Sequence, residues 1–412
     1  MDLHTQKGGE LIHKSFSSCV FHPNIPCDSN DKISNKKLSK VLFLGFDNQE
    51  KPMTTAKREI MMNNSIRNIK GHEYWSILYD DYCKAPTQAQ MSSYDPEGVM
   101  ECFKNIHKEQ TQYDIDYGDI DNITSMLQGR IGGITLEDYF KQKFSTKKNL
   151  QSTFLKTMMK LKPIFLGLVK MKLEQIIHND IKWNNIVIDK GKFKLIDFGI
   201  SSLINNSQFF KRRIQSIYHE RFYLPYPYDY HLYYLTDKQL DKEFNSIKKY
   251  INKKGEPPKQ NIDTYNDIST YYLKSDVLTQ FQIINKNIDK KMISEKDILQ
   301  GIDVYSLGIC MILLIEQHVI NGLSKTPKMI EDFIELFSQM MNPYIKYRLT
   351  AEQAEKQFHQ LLKQYSKKNK QYSKKKKQYS KKKKKYSKKK KKSSKKNKQY
   401  SKKKKQSSKK KK

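Results

Sequence analysis

Cysteine is scarce in this chain of 412 residues and follows no pattern. The five are Cys19, Cys27, Cys83, Cys102 and Cys310; none forms Cys-x-x-Cys, and the number is odd. That spacing excludes a zinc ribbon or a dithiol redox motif, and the odd count argues against a closed disulfide framework. Reduced thiols in a reducing compartment are the expectation. Long apolar runs are missing too. The longest, Leu307 to Ile315, is too short to span a bilayer, and the residues after Met1 lack the apolar core of a secretory leader. The expectation is a soluble intracellular protein, cytoplasmic or nuclear, with no transmembrane segment. Acid is absent from Gln364 to Lys412.

What fills that acid-free stretch is repetition. It consists of seven heptads close to Gln-Tyr-Ser-Lys-Lys-Lys-Lys, with 28 lysines. The chain's net charge of +35 is therefore mostly the tail's, and the body is only mildly basic. The period of seven predicts no coiled coil, because each heptad offers at most one aromatic and no second apolar seam position. Adjacent lysines also repel one another along a helix. A disordered tail over 363–412 is expected, with nucleic acid or another polyanion as its candidate partner, tyrosines being available to stack on bases. A solvated repeat without a partner is the alternative.

The body alternates short apolar runs with amphipathic stretches. Leu38 to Phe46 reads as a strand, and Phe193 to Ile196 as a shorter one. Residues 54–70 suit a helix with Glu59, Met62, Ile66 and Ile69 on one face. Residues 84–98 are polar with two prolines and read as a loop or insertion. A helix is expected over 135–143 and a long helical zone over 149–177, broken or restarted at Pro163. Gly301 to Glu316 is apolar enough for a buried helix, and amphipathic helices follow over 326–362.

Two motifs carry chemistry. His178-Asn179-Asp180-Ile181-Lys182-Trp183-Asn184-Asn185 reads H-x-D-x-K-x-x-N, and Asp197-Phe198-Gly199 follows after a short strand. Phosphoryl transfer needs an acceptor hydroxyl held in line and triphosphate charge neutralised, and these residue types supply both. The ordered pair resembles the catalytic and metal-binding loops of the eukaryotic serine/threonine protein kinases. The stretches Gly8-Gly9, Cys19-Val20-Phe21-His22-Pro23-Asn24-Ile25-Pro26-Cys27, Leu38-Ser39-Lys40-Val41-Leu42-Phe43 and Ile131-Gly132-Gly133 narrow the likeness to the divergent kinases of large DNA viruses, which would put the protein in a host cell or virion. The resemblance covers roughly residues 8–362. It implies an α+β, bilobal protein-kinase-like fold: a β-rich N-lobe over 1–130 with an insertion near 84–115, and a helical C-lobe over 131–362 with an insertion near 230–300.

It also implies roles. ATP and Mg²⁺ would be the cofactors and a protein with a Ser or Thr acceptor the partner. Asp180 would be the base, Lys182 would lie near the transferred phosphate, and Asn185 and Asp197 would hold Mg²⁺. Lys40, paired with Glu59, would grip the α and β phosphates. Val20 would cover the adenine, Leu127 would back it, and the backbone of Gln128 to Arg130 would form the hinge. Asp-x-Lys at 180–182 is the serine/threonine pattern. Asp303 opens Asp-Val-Tyr-Ser-Leu-Gly, a helix start expected to hold the catalytic loop from below. Arg348 in Arg-Leu-Thr-Ala would pair with the acid of an Ala-Pro-Glu triplet that this chain lacks.

The chain departs from the family in three places. The G-x-G-x-x-G positions hold His13, Ser15 and Ser18, which removes the glycines that let backbone approach phosphate. Asn179 replaces the arginine that receives a phosphorylated activation loop, and Trp183 replaces a proline. A pseudokinase scaffold that binds ATP poorly is thus one rival reading. A small-molecule kinase is another, disfavoured by the Asp-Phe-Gly and Asp-Val-Tyr-Ser-Leu-Gly motifs.

Overall fold

A computed structural model describes residues 9–15, 18–27, 31–43, 52–113, 124–218, 225–236, 238–239, 242, 294–342 and 345–367. Most of the expected 230–300 insertion and the repeat beyond Lys367 lie outside them. Residues up to His359 form one compact unit, and Gln360–Lys412 a second, of which 360–367 are helical.

The N-terminal layer is a five-stranded antiparallel sheet of β1 (Glu10–Lys14), β2 (Ser18–His22), β3 (Lys37–Leu42), β4 (Tyr79–Lys84) and β5 (Ser125–Arg130). Their order across the sheet is β1-β2-β3-β5-β4. Helix α1 (Pro52–Arg67) starts on a proline, which suits a first helical turn. It buries Ala56, Glu59, Ile60, Met62, Asn63 and Ile66, and Ala56 and Ile60 pack with Leu42 and Leu127 of the sheet.

The stretch expected as a polar loop is mostly helical. Thr87 and Gln90 form a reciprocal capping box that starts α2 (Gln88–Ser92), and α3 (Pro96–Tyr113) follows. The reduced-thiol expectation is overturned here. Cys19 of β2 is disulfide-bonded to Cys102 of α3, and Cys27 to Cys83 of β4. The partners are 83 and 56 residues apart in sequence, so only the fold brings them together. The odd count leaves Cys310 free and buried. Met91, Val99 and Phe103 join Cys19, Phe21 and Val41 in one apolar cluster around the first bond.

The C-terminal layer is helical: α4 (Leu136–Phe144), α5 (Leu150–Leu173), α6 (Ser207–Tyr218), α7 (Tyr228–Tyr234), α8 (Glu295–Leu314) and α9 (Lys328–Met340), then a helix starting at 351. Short pairs β6 (Ile176–Ile177) with β9 (Ser202–Leu203), and β7 (Ile186–Asp189) with β8 (Lys192–Leu195), support its loops. Pro163 neither breaks nor starts a helix; α5 runs through it. The missing hydrogen bond costs about 3 kcal/mol in a helix interior. Burial of Leu161, Ile164, Phe165 and Leu168 around it offsets that cost. Phe165 stacks on Phe358, ring centres 4.0 Å apart.

Ser294 caps α8 through Asp297 N–H, and α8 continues as a π-helical turn to Ile320. Among the described residues this span, Glu295–Ile320, is the one helix long and apolar enough to cross a membrane; 94% of its most apolar window is buried inside the fold.

Candidate active site

Helix α8 holds the loop of residues 178–185 in place. Asp303 accepts hydrogen bonds from His178 N–H at 2.8 Å and Asn179 N–H at 2.9 Å. Burial pushes the Asp303 carboxyl up, against the pull of His178. Asn179 is buried with φ 65°, a left-handed conformation that asparagine tolerates better than most residues. Its carbonyl accepts from the Tyr226 hydroxyl at 2.8 Å. His178 Nδ1 accepts from Asp180 N–H at 3.3 Å, which leaves Nε2 to donate to the Ile196 carbonyl at 3.1 Å. The same ring packs 4.6 Å from Phe198. Loop, Asp-Phe-Gly turn and buried helix thus form one connected unit.

Asp180 sits where three groups converge. Asn185 Nδ2 donates to its carbonyl at 2.9 Å and to Oδ2 at 2.8 Å, and Lys182 Nζ lies 3.0 Å from the same oxygen. A 3-10 turn over Trp183–Asn185 closes this arrangement, with Asn185 N–H bonded to Lys182 O. Trp183 begins that turn; nothing else explains its replacing proline.

β8 delivers Asp197, which has φ 63°. The register of the upper sheet places Val20, Lys40 and Leu127 side by side across β2, β3 and β5, on one face. Lys40 Nζ reaches down to Asp197 Oδ1 at 2.7 Å and stands 3.7 Å from Glu59 Oε2. Burial alone would lower Lys40, but Asp197 and Glu59 outweigh it and raise it. Burial works against Asp197 as an anion, yet Lys40 holds it at about 2. Glu59 goes the other way: burial pushes it up to about 7, against the opposing pull of Lys40. Neither Glu59 oxygen accepts a hydrogen bond among the described residues.

Glu59 therefore makes a sign-definite prediction. A carboxyl with its pKa raised on folding contributes stability fully below its unfolded value of 4.5, and that contribution is lost as pH rises through about 7. Relative to Glu59→Gln, the wild-type chain should lose urea stability between about pH 5 and pH 8. Parallel curves for the two proteins would show that Glu59 is not shifted.

The donor set suits Mg²⁺. Among the described residues no three His, Cys, Asp or Glu side chains cluster as an all-protein metal cage. Asn185 spends its amide nitrogen on Asp180, leaving its oxygen as the donor, and Asp197 is ionised. One carboxylate and one amide oxygen, completed by phosphate oxygens, is how Mg²⁺ is ordinarily bound.

The residues expected to form the hinge are part of a strand. Gln128 to Arg130 lie within β5, paired to β3 as far as Lys37 opposite Arg130, with Ile131 N–H bonded to Lys36 O beyond it. Gln128 Nε2 donates to Ile25 O at 3.0 Å and Asp31 Oδ2 at 2.7 Å, and Arg130 forms a two-pronged pair with Asp189 at 3.1 Å. The chain leaves the sheet only at Ile131-Gly132-Gly133. The second of those glycines admits close packing, since a Cβ there would stand 2.1 Å from Ile188 O. Gly129 faces Tyr79 across β4 and β5, and a Cβ on it would meet the Tyr79 ring at 2.9 Å. Tyr79 also packs 5.7 Å from Lys40 Nζ, a neighbour of the lysine that the sequence reading did not single out. Strand patterning gave no signal for it, because pairing partners are not visible in one sequence.

The missing partner of Arg348 is Asp229, 2.9 Å away and fully buried with it. The signal was present in Pro227-Tyr228-Asp229, an acid one residue further from proline than the family triplet places it. His13, near the end of β1, lies over the same cleft; loss of part of its water shell, then Lys182 and Lys40, lower it against Asp197.

No curated protein matches the chain. Among solved structures, the crystal structure of a Toxoplasma gondii specific rhoptry antigen kinase domain is similar at 11% identity and a TM-score of 0.47, over 87% of this chain and 81% of that one. Residues 118–225 match the family model of the protein kinase domain, and the two layers around that match have the protein kinase fold.

Proposed function

We propose that this protein is an active serine/threonine protein kinase that transfers the γ-phosphate of Mg-ATP to a protein hydroxyl. The observation that carries the reading is the convergence of Asn185 and Lys182 on Asp180, with Asp197 tied to Lys40 across the cleft. Mg-ATP, when bound, supplies the phosphoryl group and neutralises its charge. Asp180 accepts the hydroxyl proton, its carboxylate oriented by Asn185. Lys182 stands beside Asp180, where its charge faces a transferred phosphate next to a small alcohol; this favours Ser or Thr over Tyr. Asn185 and Asp197 hold the metal, and Lys40 orients the phosphates. Transfer of radiolabel from ATP to a generic protein substrate, lost in Asp180→Asn, tests the reading.

The pseudokinase reading is favoured by one observation, the absence of glycine at 13, 15 and 18. The tip of the β1–β2 hairpin is closed by serine instead: Ser18 N–H donates to Ser15 Oγ at 3.1 Å, and Ser15 N–H to Ser18 O at 2.8 Å. Failure of the wild-type chain to bind ATP would decide for the scaffold.

Regulation follows from Asn179. A neutral, buried side chain offers no charge to a phosphorylated loop. Ser207→Ala with Ser216→Ala should leave transfer within about twofold. Ser201→Ala should cost more, because the Ser201 hydroxyl donates to His178 O at 2.9 Å. A large loss from the Ser207 and Ser216 pair would refute regulation-free activity.

A further inference from the structure

The β1–β2 hairpin roofs the cleft, with Val20 on the same face as Lys40. Neighbouring side chains along a strand point to opposite faces, so Cys19 points away from the cleft, toward α3. Three attachments join the hairpin to the α2–α3 segment. Cys19 is bonded to Cys102. Leu11 N–H donates to Asp95 Oδ2 at 2.9 Å, while the other Asp95 oxygen accepts from Gly98 N–H at 3.0 Å. Lys14 pairs with Glu101 at 2.5 Å, an exposed contact that adds little by itself. The attachments reach both strands of the hairpin, and the apolar cluster of Phe21, Met91, Val99 and Phe103 fills the space between. A hairpin with glycines follows the phosphates by its own backbone freedom. This one has serine at its tip and is clamped from outside.

We propose that α3 is the positioning element for the nucleotide roof, and that the Cys19–Cys102 bond sets the affinity for Mg-ATP, so that the protein works in an oxidising compartment. The inference rests on the ATP reading above. Holding the roof in place lowers the ordering cost of nucleotide binding, whereas the phosphate-transfer groups belong to the catalytic loop and Asp197, which the bond does not touch. A dithiol reductant cleaves the bond by exchange: two electrons and two protons pass to the sulfurs of Cys19 and Cys102, and the reductant leaves as a cyclic disulfide.

The test uses the full chain. Iodoacetamide after denaturation, read by mass, should add one group to the untreated protein, on Cys310, and five after dithiothreitol. Reduction should weaken Mg-ATP binding roughly tenfold while kcat at saturating ATP changes less than about twofold. Asp95→Ala, with the bond intact, should weaken binding roughly threefold in the same direction. Cys27→Ser with Cys83→Ser, which leaves Cys19–Cys102 in place, should lower thermal stability and leave ATP affinity unchanged. Five adducts without reduction overturn the proposal. So does unchanged affinity in a reduced chain that still melts cooperatively or, where reduction unfolds the chain, unchanged affinity in Asp95→Ala. An oxidised chain that binds no ATP overturns both this inference and the kinase reading; one that binds ATP and transfers nothing overturns only the latter.

Discussion

Asp180→Asn should lower phosphoryl transfer by about three orders of magnitude and leave Mg-ATP affinity within about twofold. The substitution keeps the shape of the side chain and an oxygen for Asn185 Nδ2, so the loop geometry held by Asp303 survives. It removes the anion proposed to accept the hydroxyl proton and leaves Lys182, 3.0 Å from Asp180 Oδ2 in the wild type, without its counter-charge. The groups expected to hold nucleotide and metal, Lys40, Asn185 and Asp197, are untouched. Single-turnover transfer from labelled ATP, beside equilibrium nucleotide binding, separates the two quantities. Equal loss of binding and transfer would mean that Asp180 serves the fold of the site; no loss of transfer would remove it as the base.

Asp229→Ala should destabilise the fold by about 3–5 kcal/mol, among the largest effects open to a single substitution. Arg348 has no water to fall back on: its side chain and that of Asp229 are 0% and 1% exposed. Arg348 Nε also donates to Asn342 O at 2.9 Å, and its guanidinium lies 5.2 Å from the Tyr305 ring of α8. Removing the carboxylate strands a buried cation, whereas replacing both residues together, Asp229→Leu with Arg348→Met, removes the uncompensated charge and should cost far less. The direction of the Asp229 pKa agrees with this physics: burial raises it more than Arg348 lowers it. Urea midpoints of the three proteins give the comparison. A double variant as unstable as Asp229→Ala would show that the pair acts through packing, not charge.

The convergence of side chains on Asp180 in the C-terminal layer was legible in one sequence because it is local. Asp180, Lys182 and Asn185 lie within six residues, and one loop and one 3-10 turn bring them together. Asp303 was legible for a related reason: it opens an apolar run whose burial fixes where the acid must point. Glu59 was placed by helical spacing from Met62 and Ile66. Where the reading moved, the determinant was pairing between distant segments. Gln128 to Arg130 proved to be strand because β5 stays zipped to β3 through Arg130, and strand length on a partner is not written in the strand itself. The partner of Arg348 lies 119 residues away. The polar stretch after Lys84 became helical and was tied to β1 and β2.

The amino-acid sequence by itself determined the inventory of candidate groups: which carboxylates and amides stand in the two motifs, and which helix is apolar enough to become the buried core. Those properties follow from residue type and short-range periodicity, which one chain displays in full. Only the tertiary structure decided which side chains meet across the cleft, that Asp229 neutralises Arg348, and that four cysteines close in pairs. Contacts over such separations depend on how whole strands and helices pack, and sulfur atoms 83 residues apart carry no mark of each other until the sheet and α3 have formed.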